Sequence, residues 1–215
     1  MGSGRSEADG GRYNGGGGVN PGNIKNPQEM ISIRNESNQQ QVDDVLSVSR
    51  DIVDAYGPDV ATGGFQVATF TGKDATTLGC YHPGGGITMN ANYMNNQHMD
   101  AAMDRCAKDG FHPSRGNKSG MYAVASHEYG HSLTESVREK MGEQSYDRAA
   151  TRIVTEARKI TGDRGNIKFG AKISRYATTN DAETIAEAWS DHMCNGNNAK
   201  AQSKAIVNVI NSYLK

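Results

Sequence analysis

The sequence predicts an α+β fold, with a small sheet early in the chain and helices over the remainder. Segments with the alternating or β-rich pattern of strands lie before residue 91, next to glycine-rich turns. From residue 121 onward, apolar residues recur mainly at the three- and four-residue spacing of helices. The chain has 215 residues, of which 35% are hydrophobic and 26 are glycine, so one hydrophobic core is expected and a second is not. These observations favour one folded domain.

Residues 1–27 differ in composition from the rest of the chain. They include nine glycines, with a run over Gly15–Gly18, and few apolar side chains. A segment with so little apolar surface cannot offset the entropy cost of becoming ordered. We therefore predict a flexible tail or linker over residues 1–27, suited to tether the chain to a larger parent protein, and a folded domain over residues 28–215.

The first half of the domain is predicted to contain two helices and two strands. Apolar residues repeat at helical spacing over Asn38–Tyr56, and the following Gly57 and Pro58 end that helix. Alternation over Phe65–Phe70 predicts a strand, and Ile87–Asn90 is expected to form another short strand after a glycine turn. A further helix is expected over Met99–Lys108.

The second half is predicted to be helical. A long helix covers Met121–Lys140, and Gly142 just beyond it is a typical C-terminal stop. A glycine-rich, irregular stretch is expected over Gly162–Thr179. The remaining predicted helices are Tyr146–Ile160, Asp181–Cys194 and Ala199–Leu214.

Charge and hydropathy give no reason to expect nucleic acid or a membrane as a partner. The 23 Lys and Arg residues nearly cancel the 24 Asp and Glu residues, so there is no electrostatic reason to expect nucleic acid as a partner. No run of about 18 apolar residues is present, so no membrane partner is expected. The first residues also lack the apolar stretch of a secretory signal, and the sequence indicates no particular compartment.

Cys80, Cys106 and Cys194 are the three cysteines, and no two of them have the C-x-x-C spacing of a metal or redox site. Because their number is odd, they cannot form a complete disulfide framework. We expect three reduced, half-buried thiols, with one disulfide and a spare thiol as the alternative.

The long helix contains His127-Glu128-Tyr129-Gly130-His131, which is an H-E-x-x-H motif. Residues four apart in an α-helix lie about 40° apart around the axis and about 6 Å apart along it, so both imidazoles can hold one metal ion. Glu128 lies beside that ion, where its carboxylate can take a proton from an attacking water. The competing interpretation is that both histidines simply lie on a helix surface.

A catalytic zinc ion needs a third protein ligand and an open fourth position. One class of zinc site continues the motif as H-E-x-x-H-x-x-G-x-x-H, which would need a histidine at position 137. Residue 137 is valine, so the third ligand must come from elsewhere. Glu183 and Glu187 are four residues apart on a predicted helix and share a face. One of them can bind the metal while the other accepts a hydrogen bond from a ligating histidine, unless both lie on a solvated face. Asp191 is a further candidate for an outer acceptor.

Both motifs resemble the zinc site of gluzincin metallopeptidases of the anthrax lethal factor type. That family pairs H-E-[FY]-G-H with a later [ST]-x-Y-[AG]-x-x-N-x-x-E-x-x-A-E-[AS]-[FW], and residues 127–131 and 174–189 meet every position. Related domains occur in phage head-morphogenesis proteins and in polymorphic bacterial toxins. The resemblance covers residues 38–194 and is strong only over 121–135 and 174–191.

The resemblance implies that His127, His131 and Glu183 bind one zinc ion per chain, with Glu128 as the general base. It also implies a zincin-like metalloprotease fold. In that fold a small twisted sheet lies over the active-site helix, and the C-terminal half is helical.

Three further roles are implied by the same resemblance. Tyr176 matches the tyrosine that stabilises the oxyanion, and Glu187 matches the residue that supports a zinc ligand from outside. The segment Gly79–Asn90 matches the edge strand against which an extended substrate lies, although the sequence does not identify the edge by itself. The substrate-binding residues expected from it are Ile87, Thr88, Met89 and Asn90.

The predicted function is that of a zinc metalloendopeptidase, which hydrolyses a peptide bond of a protein substrate with zinc-activated water. One alternative is a virion or head-assembly protein in which the domain is mainly structural. The other is a secreted toxin or effector protease, which shares the chemistry. No role is assigned to the remaining histidines, for which surface or core positions are expected: His82, His98, His112 and His192.

Overall fold

The computed structural model of the protein describes residues 19–60, 64–84 and 86–215. Within these ranges the chain forms a four-stranded sheet and seven α-helices, so the predicted α+β class is confirmed. Most of the predicted tail lies outside the described residues. Among the described helices, none combines the length and the apolar character needed to cross a membrane.

The strands are short and all precede residue 91. They are β1 (Ile24–Glu29), β2 (Phe65–Phe70), β3 (Gly79–His82) and β4 (Gly86–Asn90). The helices are α1 (Gln39–Tyr56), α2 (Asn96–Lys108), α3 (Gly120–Met141), α4 (Tyr146–Thr161), α5 (Asn166–Gly170), α6 (Asp181–Asn195) and α7 (Ala201–Leu214). The helix expected from Met99 begins three residues earlier, and α5 is a short helix inside the stretch expected to be irregular.

The folded domain was predicted to start at Gln28, but strand β1 begins earlier, at Ile24. Its side chains are mostly exposed and it contains Pro27, so it lacks the alternation by which strands are recognised. The strand is held instead by antiparallel backbone pairing to β2, with an irregular register between Lys25 and Gln28.

The sheet has the strand order β1-β2-β4-β3. Strand β4 pairs with β2 in parallel and with β3 in antiparallel orientation, so both of its backbone edges are occupied. Of the segment Gly79–Asn90, which was expected to form the edge strand, the part Ile87–Asn90 therefore does not lie at the edge. Its side chains are buried as well, and the Asn90 amide holds the loop before β3 by donating to the carbonyl oxygens of Ala75 and Thr77. The edge on this side of the sheet is β3.

Helix α3 lies between the sheet and α6, and every residue from Gly120 to Thr134 is buried. Two glycines allow this close packing. A Cβ atom at Gly130 would lie 2.6 Å from the Cα atom of Ala186 in α6, and one at Gly79 would lie 3.1 Å from a methyl group of Val124. Backbone on both sides thus approaches the helix that carries the H-E-x-x-H motif.

Candidate metal centre

Three side chains from two helices converge at the centre of the domain. His127 and His131 come from successive turns of α3, and Glu183 comes from the first turn of α6. The Oε2 atom of Glu183 lies 3.2 Å from Nε2 of His127 and 3.6 Å from Nε2 of His131. The ligand atoms of the three residues lie within 4.8 Å of one another, so the group could hold a metal ion.

Glu183 is placed by the N-terminus of its own helix. The Asn180 side chain accepts a hydrogen bond from the backbone N–H of Glu183 over 2.9 Å, which caps α6 and fixes where its first turn begins. Because the cap fixes the first turn of α6, it also fixes the place from which the Glu183 carboxylate extends.

The donor set fits a cation. The buried Oε2 atom of Glu183 forms no well-aligned hydrogen bond with the described residues and faces Nε2 of both histidines, so a cation held between these atoms would satisfy it. Burial alone would raise the pKa of Glu183, but the facing imidazoles of His131 and His127 outweigh that effect and hold the pKa well below its usual range. An ionised carboxylate and two imidazoles are thus available to one ion.

Glu187 lies one turn further along α6 and supports this cluster from behind. Its Oε1 atom accepts a hydrogen bond from Nδ1 of His127 over 2.8 Å, and its Oε2 atom accepts one from the Ser174 hydroxyl over 2.7 Å. Burial alone would raise the pKa of Glu187, yet the nearby imidazoles, His112 foremost, lower it to about 2. Because an ionised carboxylate only accepts, His127 donates from Nδ1 to Glu187, and Nε2 is the ring atom that faces Glu183 and would bind a metal ion once it carries no proton.

His131 has an outer partner that the sequence did not reveal. Its Nδ1 atom lies 3.2 Å from the hydroxyl of Tyr146, the first residue of α4. When Nδ1 donates to that hydroxyl, Nε2 keeps its lone pair for a metal. Tyr146 shows no sequence signal beyond its place at a helix start, since the contact depends on how α4 packs on α3.

Glu128 lies next to the cluster without belonging to it. Burial raises the pKa of its carboxyl, and the neighbouring imidazoles of His127 and His131 partly offset this rise. A base with a raised pKa retains a proton more readily at neutral pH, which suits a group that must first accept a proton and then return it.

Tyr176 is buried in a turn that leads into α6. Its ring centroid lies 5.9 Å from that of His127 and 5.1 Å from that of Phe111. Its backbone N–H donates to the carbonyl oxygen of Phe111 over 3.0 Å, which ties this turn to the loop after α2. The ring is therefore packed next to the cluster and lines the same pocket as Glu128.

A pocket opens beside His127, with about 430 Å³ of empty space that includes its opening to solvent. Its polar side is formed by Glu128, Tyr176, His112 and Glu187. Its apolar side is formed by Leu78, Met103, Pro113 and Val124. We call this cavity the metal-site pocket.

Asp191 does not belong to the site, and its predicted role as an outer acceptor is wrong. Its two carboxylate oxygens accept hydrogen bonds from the side-chain amide of Asn195, over 2.9 Å, and from the backbone N–H of Lys200, over 2.8 Å. It lies one turn beyond Glu187, about 6 Å further along the helix, and there it holds the connection from α6 to α7.

His112 was assigned no role from the sequence, yet it lies in the metal-site pocket. Its Nδ1 atom donates to the same Oε1 atom of Glu187 that His127 uses, also over 2.8 Å. No short-range pattern marks it, because the two partners are 75 residues apart. His82 and His192 are not part of the group that could hold a metal ion among the described residues. All three cysteines are free, as expected, but they are buried where half-buried thiols were expected.

Comparisons with known proteins add no relative to this picture. No protein-family model matches the chain, and neither the curated proteins nor the solved structures include a match.

Proposed function

We propose that this protein is a zinc metallopeptidase with a zincin-like fold, of the gluzincin type that its two motifs resemble. The observation that carries the proposal is the convergence of His127, His131 and Glu183 with Glu128 directly beside them. Two imidazole nitrogens and one carboxylate oxygen form a donor set typical of catalytic zinc, with a fourth position left for water or substrate.

Zinc bound there would lower the pKa of water and polarise a peptide carbonyl group. The protein residues have separate tasks. Glu128 takes a proton from the attacking water and later returns it to the leaving amine, which a carboxyl with a raised pKa can do at neutral pH. Tyr176 donates a hydrogen bond to the oxyanion that forms on the carbonyl during the reaction.

An extended peptide has a backbone partner in β3. This strand uses one edge to pair with β4, and its other edge offers donors and acceptors to a further strand. Gly79 at the start of β3 lies close to Glu128, with its Cβ position 3.4 Å from Cγ of that residue. A peptide added along Gly79–His82 would thus pass the base, and the apolar side of the metal-site pocket suits an apolar side chain of the substrate.

The biological setting of the chemistry is left open by this argument. Both a virion-associated protease and a secreted effector would use the same residues. A purely structural domain has no need of Glu128 and Tyr176 beside a metal group, so we favour an active enzyme.

The test is metal analysis followed by peptide-library cleavage on the purified chain. We expect one zinc ion per chain and cleavage that stops with a chelator and returns with added zinc. Glu128→Gln is the matched control, because it should keep zinc and give no cleavage. A wild-type protein that binds zinc but cleaves no peptide in the library would contradict the proposed activity and leave the metal site intact.

A further inference from the structure

Backbone hydrogen bonds of the residues next to His112 position it at the site. The Phe111 N–H donates to the carbonyl oxygen of Cys106 at the end of α2 over 2.7 Å. The carbonyl oxygen of Gly110 accepts from the Arg175 N–H over 2.8 Å, next to the contact between Phe111 and Tyr176. The loop after α2 is therefore fastened to the turn before α6, and its histidine points into the interior between them.

The two nitrogens of His112 have different surroundings. Nδ1 donates to Glu187, and this contact fixes the orientation of the ring. Nε2 has no hydrogen-bond partner among the described residues, and the imidazole is one of the side chains that line the metal-site pocket. The ring packs edge-on against Tyr176, with the centroids 5.2 Å apart. A molecule in the pocket therefore meets His112 next to Tyr176 and Glu128.

The need to hold Glu187 in place does not by itself explain why residue 112 is a histidine. That carboxylate already has donors from His127 and Ser174, one on each oxygen. His112 adds a second donor to Oε1, and its ring brings a second nitrogen, Nε2, to the wall of the metal-site pocket. A hydrogen bond formed to a bound molecule would use this second nitrogen, which the contact with Glu187 leaves available.

We propose that His112 is a substrate-binding residue of this site, which rests on the proposed function that a peptide occupies the metal-site pocket. Nδ1 donates to Glu187, and Nε2 at the other side of the ring accepts a hydrogen bond from a backbone N–H of that peptide. Glu187 thus orients two histidines through one oxygen atom. One of them, His127, faces the metal group, and the other faces the substrate.

The test compares two hydroxamate probes on the zinc-loaded protein. Acetohydroxamate reaches only the metal, whereas the hydroxamate of succinyl-Leu-Ala-amide adds backbone N–H groups and an apolar side chain. We expect the wild-type protein to bind the peptide probe more tightly than acetohydroxamate. Equal affinity for both probes would overturn the proposal, since no peptide contact would then exist.

The decisive variant is His112→Asn. The asparagine amide nitrogen stands at the place of Nδ1 and keeps the donor to Glu187, while the pocket-facing nitrogen is lost. We expect the dissociation constant of the peptide probe to rise about two- to tenfold, with that of acetohydroxamate and the zinc content unchanged. Equal weakening of both probes would mean that His112 acts through Glu187, and no change would mean that it has no contact. Either result overturns the proposal.

Two further variants test whether His112 acts by direct contact with the probe. Ser174→Ala removes a donor from the other oxygen of Glu187, so any effect transmitted through Glu187 should weaken both probes alike in this variant. If His112→Asn does not fold, His112→Gln replaces it, because its longer side chain carries an acceptor to the place of Nε2. We expect that variant to retain part of the preference for the peptide probe, and complete loss would overturn the proposal. Both probes measure binding without cleavage. A protein that lacks peptidase activity can therefore be distinguished from one in which His112 makes no contact with the probe.

Discussion

His127 and Glu187 are joined by a hydrogen bond of 2.8 Å that connects helices α3 and α6 across 60 residues of sequence. The two helices come close enough because Gly130 has no side chain where it meets Ala186. The bond sets the tautomer of His127 and leaves Glu183, one turn earlier on α6, on the side of the Nε2 atoms. Of the two glutamates that the sequence offers as ligands, Glu183 therefore faces both Nε2 atoms in the group that could hold a metal ion, and Glu187 supports His127 from outside.

This division of roles predicts different effects of removing the two charges. Glu183→Gln should abolish tight zinc binding, since it removes a charged ligand atom. Glu187→Gln should retain zinc with an affinity about 10–100-fold lower, because only an outer hydrogen-bond partner is weakened. Competition with a chromophoric chelator measures both affinities.

Asp191→Asn is the matched control for these two variants, since Asp191 is a carboxylate of the same helix that lies away from the site. It should leave zinc affinity at the wild-type value and lower the melting temperature through the weaker contact with the Lys200 N–H. A larger loss of zinc in Glu187→Gln than in Glu183→Gln would reverse the assignment of the ligand.

Glu128→Gln should keep one zinc ion per chain and lose peptide cleavage. The amide has nearly the shape of the carboxylate but cannot accept the proton of the attacking water. Metal content and cleavage of a library-derived peptide are measured on the same sample. Cleavage that persists in this variant at the wild-type rate would show that another group is the base.

Tyr176→Phe should leave zinc content and the affinity for acetohydroxamate unchanged and lower turnover about 10²–10³-fold. Phenylalanine keeps the packing of the ring against Phe111 and removes only the hydroxyl that would donate to the oxyanion. If the hydroxyl only stabilises the fold, the melting temperature falls and turnover per bound zinc stays the same. Measuring both quantities on one preparation separates the two roles.

Zinc binding near neutral pH should release protons. Burial alone would lower the pKa of His127, but its contacts with Glu183 and Glu187 outweigh this and raise the pKa well above the ordinary value in the metal-free protein. A raised pKa means that the metal-free site still holds a proton at pH 7, which zinc must displace. Zinc affinity should therefore decrease as the pH falls.

Calorimetry in two buffers of different ionisation enthalpy measures this release at pH 7. The observed enthalpy should depend on the buffer, and Glu187→Gln should reduce that dependence because one of the groups that favours protonated His127 loses its charge. Identical enthalpies in both buffers would show that the metal-free site holds no displaceable proton.

Several features of the protein were determined by the sequence alone, because they depend on geometry within one element. The four-residue spacing of His127 and His131 places both imidazoles on one face of a helix wherever that helix lies. The same holds for the helix stop at Gly142, which adopts φ 67°, and for the alternating strand Phe65–Phe70. These predictions required no knowledge of neighbouring elements.

Only the tertiary structure decided which elements meet. Strand order makes β3 the edge and buries Ile87–Asn90 in the interior, although both are equally plausible edges by composition. The relative position of α6 and α3 brings Glu187 to the site and leaves Asp191 at a helix connection. His112 reaches Glu187 only because the loop after α2 is fastened to the turn before α6. Such contacts join residues many tens of positions apart, and local periodicity carries no information about them.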